Sequence, residues 1–484
     1  MTMLSELLPN ITLDEDVFIR GITDDSRKVS NGCLYIAIRG QKNDGKKYVS
    51  EVEQSAAAIL CDGPIPSSSR SIPIIMVDDL KNQRGQIASR FFGDPSKKLT
   101  VFAVTGTNGK TSVANFVATT ANNLGTQCGV VGTLGVGFPS ALDIEKIEGL
   151  TTPDAITLQS NLASLLSKGC TMAALEASSH GLSQMRLDGT KIKIAAYTNL
   201  SRDHLDYHPS MASYLNAKRR LMQWPELEIA VLNADDIHCE DISKNVCAEK
   251  IFYGFTTKSD VVASSIDLNE SGMSFTIDSP WGKATLKSNL MGEFNVSNLL
   301  AAAGVLGALG FDFKELTSAL GELRTLPGRM HVLRRTDCPS IVIDYAHTPA
   351  ALRSVLLGLR SHFPGKIWCV FGCGGGRDKG KRREMGEIAF ELADRLIITS
   401  DNPRFEEPEE IANDIVKGIK DSEFYIIELS REMAIKKVIS EADQNDVILI
   451  AGKGHELYQE VRGNKKFFND LDTVERYIST VSKG

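Results

Sequence analysis

Three stretches of short apolar runs, separated by amphipathic or polar segments, make up the chain. The first carries "CLYIAIRG", "AAAILCD" and "IPIIMVD", then a helical pattern that runs to Phe92 and stops at "GDPSKK". Apolar runs of this length bounded by turn formers predict buried strands, and the Gly-Asp-Pro-Ser cluster predicts a linker. The second stretch opens with "LTVFAVTG" and continues to "LRTLPGRM", where Pro327 and Gly328 interrupt it. The third, from His331, alternates "SIVIDYAH", a helix from Thr348, "KIWCVFGCGG", a helix through Met385, "RLIITSDNP", two further helices and "DVILIAGKG". Strands alternating with helices predict an α/β protein whose parallel sheets are covered on both faces. Three domains are expected, at residues 1–97, 98–329 and 330–484. Ligands bind such sheets at the carboxyl edge, so the residues that follow each strand are the candidates for chemistry.

Composition narrows the class. A length of 484 residues suits about three domains. The 42% hydrophobic and 24% charged contents are those of a globular protein in water. A net charge of −7 lacks the cationic footprint that nucleic acid or an anionic membrane requires. The N-terminal "MTMLSELLPNITLDEDVF" has no basic start and no apolar core, and no run reaches the ~20 residues of a membrane helix. Nine scattered cysteines, with Cys369 and Cys373 flanking an apolar run, predict buried free thiols in a reducing compartment. A cytoplasmic monomer is expected.

The strongest local signal is "VFAVTGTNGKTSVANFV". A strand enters a turn made of Gly106, Thr107, Asn108 and Gly109, and Lys110, Thr111 and Ser112 open a helix. Backbone N–H groups freed by the glycines can wrap phosphate oxygens, and the helix N-terminus adds its positive dipole end. Lys110 would neutralise terminal phosphates and the Thr111 hydroxyl would bind Mg²⁺. The spacing departs from the standard phosphate loop, because Val104 stands where its first glycine would be. Two further strand ends carry carboxylate and imidazole together. "MAALEASSHGL" supplies Glu176 and His180, and "AAYTNLSRDHLDYH" supplies Asn199, Asp203, His204, Asp206 and His208. Each alone reads equally as a polar strand end facing water. Sharing one edge with the phosphate loop, they have the hard oxygen donors that ATP with Mg²⁺ needs.

"TGTNGKTS" resembles the nucleotide loop of the Mur ligases, ATP-dependent amide-bond synthetases of bacterial cell-wall precursor assembly, and the resemblance extends along nearly the whole chain. It implies a central P-loop-type ATPase sheet, a C-terminal Rossmann-like sheet and an N-terminal domain for a UDP substrate. Within the family the likeness is to members that add meso-2,6-diaminopimelate to UDP-N-acetylmuramoyl-L-alanyl-D-glutamate. Lys110, Glu176, His204 and Lys218 are then the implied catalytic group, with Thr111, Glu176 and His204 toward Mg²⁺. The resemblance also implies that Lys218, in "SYLNAKRRLM", is carbamylated to N6-carboxylysine, where the bland reading is a solvated basic face. Asn298, Arg329 and Asp344 are implied ATP contacts, with Asn295 read as a helix cap. Asp24, Ser26, Gln41, Lys42, Asn43, Thr151, Thr152, Ser178, Gln184 and Arg186 match contacts to the UDP-muramoyl-dipeptide.

Arg377, Asp401, Asn402, Pro403, Arg404, Gly452 and Glu456 match the positions for the incoming amino acid, and "SDNPRFEEP" gives the physical reason. Arg404, stiffened by Pro403, offers planar donors to the distal carboxylate of diaminopimelate, while Asp401 and Glu456 offer acceptors to ammonium. L-Lysine ends in ammonium alone, which a buried guanidinium repels. Gly376 stands where the family has an acid before Arg377. The implied reaction forms an acyl phosphate from the glutamate carboxylate and ATP, which the diaminopimelate amine then attacks. Arg404 disfavours the same reaction with L-lysine. The first stretch and "DNPR" stand against a folylpolyglutamate synthetase. A nucleotide-gated switch would bind ATP without amino-acid-dependent phosphate release.

Overall fold

Strand residues alternate between two apolar faces in each large sheet, and this decides the layering of the chain. The computed structural model describes residues 2–40, 43–64, 72–143, 150–335 and 338–481. Gln41 and Lys42 lie outside the described residues. In the last stretch Ile341, Ile343, Val370, Ile448 and Ile450 face one core, while Val342, Cys369, Phe371 and Leu449 face another. A strand buried on both sides must be covered by helices on both, which makes this a doubly wound sheet. Its order is His331–Leu333, Ser340–Asp344, Val447–Ala451, Ile367–Phe371, Arg395–Ile398 and Tyr425–Ile427, parallel except for the first.

The middle sheet has the same logic at its centre. Val101 and Ala103 join one core, Phe102 and Val104 the other. Thr100–Thr105 is flanked in parallel by Met172–Glu176 and Ile194–Tyr197. The phosphate loop and both carboxylate–imidazole strand ends therefore meet at one edge. The sheet is not parallel throughout, however. Gly135–Phe138 and Ala141–Asp143 extend one side antiparallel, and Gly272–Ser279 and Gly282–Ser288 extend the other. The edge strand Gly282–Ser288 is exposed on alternate residues, which is the antiparallel pattern with one wet face.

The first stretch forms a parallel sheet of Gly21–Thr23, Cys33–Ala37, Ala56–Cys61 and Ile74–Met76, followed by the helix Leu80–Phe91. The expected linker at "GDPSKK" is instead a helical turn, Pro95–Lys98. Proline at its first position has no N–H to waste there, and Asp94 precedes it at φ +52°. Of the cysteines, all are free and Cys247 alone is exposed. Among the described residues no helix is long and apolar enough to cross a membrane.

Candidate active site

The phosphate loop is shaped by what lies directly behind it. A Cβ on Gly106 (φ +155°) would sit 1.8 Å from Thr198 Oγ1, and one on Gly109 (φ +86°) 2.6 Å from Asn298 Oδ1, so neither position admits a side chain. Thr107 N donates to Asn199 O (2.8 Å) and Asn108 N to Asn199 Oδ1 (2.9 Å), locking the turn to the neighbouring strand end. Lys110 turns back on the loop, donating from Nζ to Gly106 O (2.8 Å) and Thr107 O (2.9 Å). Burial pushes its pKa down, with the Glu176 charge working the other way.

A cleft of about 320 Å³ opens beside the loop, between the middle and last sheets. Asn108, Gly109, Ser112 and Asn298 line one wall; Arg329, Asp344, Tyr345 and Ala350 line the other. Arg329 lies over the Tyr345 ring (4.8 Å) and donates from Nη2 to Thr111 Oγ1 (3.3 Å). Asp344 accepts from Met330 N (2.7 Å), and burial raises its pKa against the pull of Arg329. Asn295 is not the cap expected from the sequence. Gly292 (φ +85°) takes the cap position of the helix Glu293–Ala308, and Asn295 lies inside the first turn. Its amide donates back to Met291 O (2.7 Å) while its Oδ1 accepts from Asn298 Nδ2 (3.0 Å), which orients Asn298 toward the cleft.

Glu176 is buried at the adjoining strand end and takes three hydrogen bonds: from Thr111 Oγ1 (2.8 Å), Thr133 Oγ1 (3.0 Å) and Thr133 N (2.8 Å). A carboxylate and a hydroxyl held together beside a phosphate loop are hard oxygen donors, which fit Mg²⁺ completed by phosphate oxygens and water. Among the described residues no three His, Cys, Asp or Glu side chains form a metal cage. His204 stands in left-handed backbone (φ +53°), its Nε2 3.4 Å from Asp203 Oδ2 and its ring 4.8 Å from that of His180. Burial holds His204 well below the ordinary histidine range.

Lys218 overturns the solvated-face alternative: it is 1% exposed and packs over the Tyr214 ring at 4.4 Å. Burial, then the charge of Lys110, pushes its pKa well below 10.5. A buried neutral amine is the form that CO₂ can add to. The folded state thus binds fewer protons here than the unfolded chain, and stability rises with pH until 10.5 is passed. In CO₂-depleted buffer, Lys218→Met should raise the thermal midpoint near pH 7 by about 2–4 °C, and by less near pH 10. Differential scanning calorimetry at both pH values checks this; an equal gain at both would contradict it.

The residues assigned to the sugar-peptide gather where the first and middle sheets meet. Asp24 pairs with Arg84 (2.6 Å), and burial raises the Asp24 pKa. Ser26 lies in a tight turn capped by Asp25, and Asn43 is exposed. Thr152 Oγ1 donates to Glu176 O (2.6 Å), and Ser178 N donates to Thr152 Oγ1 (2.9 Å). Arg186 donates to Thr152 O (2.6 Å) and Gln184 Oε1 (2.7 Å), and Thr151 accepts from Thr133 (3.1 Å). One bonded chain therefore runs from Arg186 to Glu176.

The residues read from the sequence as contacts for the incoming amino acid gather on the last sheet. Arg404 (φ +53°) is half-buried, with Nη1 on Gly375 O (2.8 Å) and Nε 3.3 Å from Glu460 Oε2. Asn402 donates to Glu456 Oε2 (2.8 Å), and Asp401 Oδ2 approaches Gly452 so closely that a Cβ there would be 2.7 Å away. Gly376 (φ +63°) suits its left-handed backbone, and its N–H bonds Glu406 Oε1 (2.6 Å). Arg377 is half-exposed and 3.3 Å from Asp206 of the middle stretch, and both it and Arg404 flank Gly374, where a Cβ would lie 3.8 Å from Arg377 Cγ and 2.9 Å from Arg404 Nη1. Sequence reasoning missed Lys453, fully buried, which donates to Asn402 Oδ1 (3.1 Å) and Glu456 Oε2 (2.8 Å). It also missed the pairing of Asp203 with His347 (3.9 Å) across the two sheets. A lysine three residues before a glutamate at a strand end was the only signal for the first.

The family models for the Mur ligase middle domain and the Mur ligase glutamate ligase domain match residues 104–306 and 328–454. The UDP-N-acetylmuramoyl-L-alanyl-D-glutamate–2,6-diaminopimelate ligase of Coxiella burnetii is 41% identical, over 98% of this chain and 99% of its own. That of Pseudomonas aeruginosa is 42% identical, over 98% of each. A solved structure of a ligase with the same name superposes with a TM-score of 0.73 at 36% identity, over 99% of both chains.

Proposed function

The chain belongs to the Mur ligase family, and from that membership we infer that it is an ATP-dependent ligase of peptidoglycan precursor synthesis. It joins meso-2,6-diaminopimelate to the D-glutamate γ-carboxylate of UDP-N-acetylmuramoyl-L-alanyl-D-glutamate, giving ADP and phosphate. Residues 1–97 bind the UDP end, 98–329 bind ATP and the glutamate, and 330–484 bind the amino acid. The enzyme works as a cytoplasmic monomer in this reading.

The γ-carboxylate attacks the γ-phosphorus of ATP, and the bond to the ADP oxygen breaks. The diaminopimelate amine then attacks the acyl carbon, loses a proton and expels phosphate. In this reading the protein's task is positioning and charge stabilisation. Lys110 swings from its two loop carbonyls to the β- and γ-phosphates, and Arg329 approaches from the other wall of the cleft. Thr111 and Glu176, with His204 nearby, would hold Mg²⁺, which when bound would supply positive charge toward the phosphate oxygens. Carbamylated Lys218 adds an anion beside His204, His208 and Lys110. The bonded chain from Arg186 through Thr152 to Glu176 ties the glutamate-bearing substrate to the metal side. Closure of the last sheet over the cleft excludes water from the acyl phosphate.

One observation carries the choice of acceptor: a half-buried guanidinium, Arg404, fixed at Nη1 and Nε with its other amino group unengaged by the described residues. That geometry suits a carboxylate at the far end of the amino acid and repels a lone ammonium. Phosphate release should follow addition of meso-diaminopimelate and not of L-lysine. Arg404→Ala should lower kcat/KM for meso-diaminopimelate by roughly 10- to 100-fold, the loss of a charge-assisted bond. Equal release with lysine would overturn the acceptor assignment.

A further inference from the structure

We propose that Arg202 is a positioning residue for phosphoryl transfer: its ion pair with Asp378 seats the last sheet against the segment of the middle stretch that shapes the phosphate loop. The inference rests on the ligase reading above, in which ATP lies between those two parts of the chain. The segment, residues 198–208, follows the strand Ile194–Tyr197 and leads to the helix Met211–Met222. Its first residues are bonded to the phosphate loop. Thr198 Oγ1 donates to Asn108 O (2.6 Å), Asn199 accepts from the N–H groups of Thr107 and Asn108, and Ser201 N donates to Thr107 Oγ1 (3.0 Å). Its next residues are bonded to the last stretch. Arg202 donates to both carboxylate oxygens of Asp378, from Nε to Oδ2 at 3.0 Å and from Nη2 to Oδ1 at 3.3 Å, and Asp203 faces His347. Ser201 and Arg202, adjacent in the chain, thus join the phosphate loop to Asp378, and His204 follows directly in the same segment.

The pair is shaped from both sides. Asp378 precedes the helix Gly380–Leu392, and its Oδ1 accepts from Gly380 N (2.8 Å), so the helix start aims the carboxylate. A Cβ on Gly380 would lie 2.2 Å from Arg202 Nη2; glycine, a poor residue for a helix, is what admits the guanidinium there. Asp378 is only 12% exposed, which sets the pair apart from a wet surface ion pair of little worth. Burial pushes the Asp378 carboxyl up, but the bonds from Arg202 and Gly380 N outweigh it and hold it below its ordinary range. The neighbouring pair, Arg377 with Asp206 at 3.3 Å, suits a fixed joint less well, because Arg377 is half-exposed and is read as a contact for the amino acid. The ligase reading gives Arg202 and Asp378 no substrate to hold. His362 ties the same two parts elsewhere, its ring accepting from Gly292 N (2.9 Å) and donating to Asn269 O (2.6 Å). Loss of the Arg202 bridge therefore loosens the joint without parting it.

The test measures phosphate release with UDP-muramoyl-dipeptide, meso-diaminopimelate and ATP in the wild type, Arg202→Ala, Arg202→Lys, Asp378→Asn, and Arg202→Ala combined with Asp378→Asn. Asp378→Asn keeps an oxygen for Gly380 N and discards the charge. Arg202→Ala and Asp378→Asn are each expected to lower kcat by about three- to tenfold. The KM for UDP-muramoyl-dipeptide should stay within about twofold, since the first and middle stretches hold that substrate in the ligase reading. The double variant should lose no more than the worse single one, and Arg202→Lys should recover most of the rate. Small-angle X-ray scattering with a non-hydrolysable ATP analogue should give Arg202→Ala a larger radius of gyration than the wild type. Losses that multiply in the double variant would give the two residues separate roles and overturn the proposal. So would an unchanged kcat, an unchanged radius of gyration, or a KM for the dipeptide that rises as far as kcat falls. A wild type that releases no phosphate removes the ligase reading, and the scattering comparison then decides the joint by itself.

Discussion

Lys110→Met should lower kcat by about 10²- to 10³-fold while leaving the fold intact, the scale of removing one charge donor from a transferring group. The substitution keeps most of the length of the side chain and discards its charge and its N–H donors. In the folded protein the ammonium is buried and bonded to Gly106 O and Thr107 O. Burial lowers its pKa, so the charge is held at a cost to stability. Methionine strands the two carbonyls, which costs about 1–3 kcal/mol, but it also removes a desolvated cation, and these oppose each other. The thermal midpoint should therefore move by no more than about 2–4 °C in either direction. Stopped assays of phosphate release, read beside calorimetry, separate the two effects. A midpoint that collapses together with kcat would make Lys110 structural, and an unchanged kcat would remove it from the chemistry.

The same side chain shows what a sequence can and cannot carry. The glycines of the loop and the helix that follows are local features, set by turn chemistry and apolar period, and both were legible. So were the strands that bring Glu176 and His204 to the loop, because buried parallel strands write themselves as unbroken apolar runs. What Lys110 and Lys218 touch was not legible although the partners are only three or four residues away, because which way a side chain turns is decided by packing. "AKRRL" has the look of a wet cationic face, yet helical geometry turns Lys218 inward onto Tyr214, its neighbour four residues back, and Arg219 outward to Asp241 O. Asn295 misled for a related reason: an asparagine near a helix start reads as a cap, but Gly292 in left-handed backbone had already begun the helix. The place of Lys453 was invisible because it comes from Asn402, some fifty residues earlier in the chain. The antiparallel flanks of the middle sheet were passed over because they fall outside the strand–helix pattern, and the edge strand Gly282–Ser288 alternates as a strand with one wet face does.

Asp470→Asn should destabilise the last sheet by about 3–5 kcal/mol, the cost of leaving a buried charge unpaired. Arg431 and Asp470 are both fully buried and joined in two-pronged fashion, Nε to Oδ1 at 2.7 Å and Nη2 to Oδ2 at 2.8 Å. Burial works against the Arg431 charge, but Asp470 outweighs it and holds the guanidinium above its ordinary range. Nη2 also donates to Ala451 O (3.0 Å), the last residue of the strand that leads into Gly452, Lys453 and Glu456, which we propose to bind the amino acid. The pair thus anchors the start of two helices, Arg431–Glu441 and Asp470–Val481, and the floor of the site at once. Replacing both partners with apolar residues, as in Arg431→Met with Asp470→Leu, removes the stranded charge and should cost less than the single change. It should still weaken acceptor binding, because Ala451 O loses its tether. Urea titration of the single and double variants, with KM for meso-diaminopimelate measured beside it, checks both halves. A single variant no less stable than the double would mean that the charge is not stranded, and that water reaches Arg431 when its partner is gone.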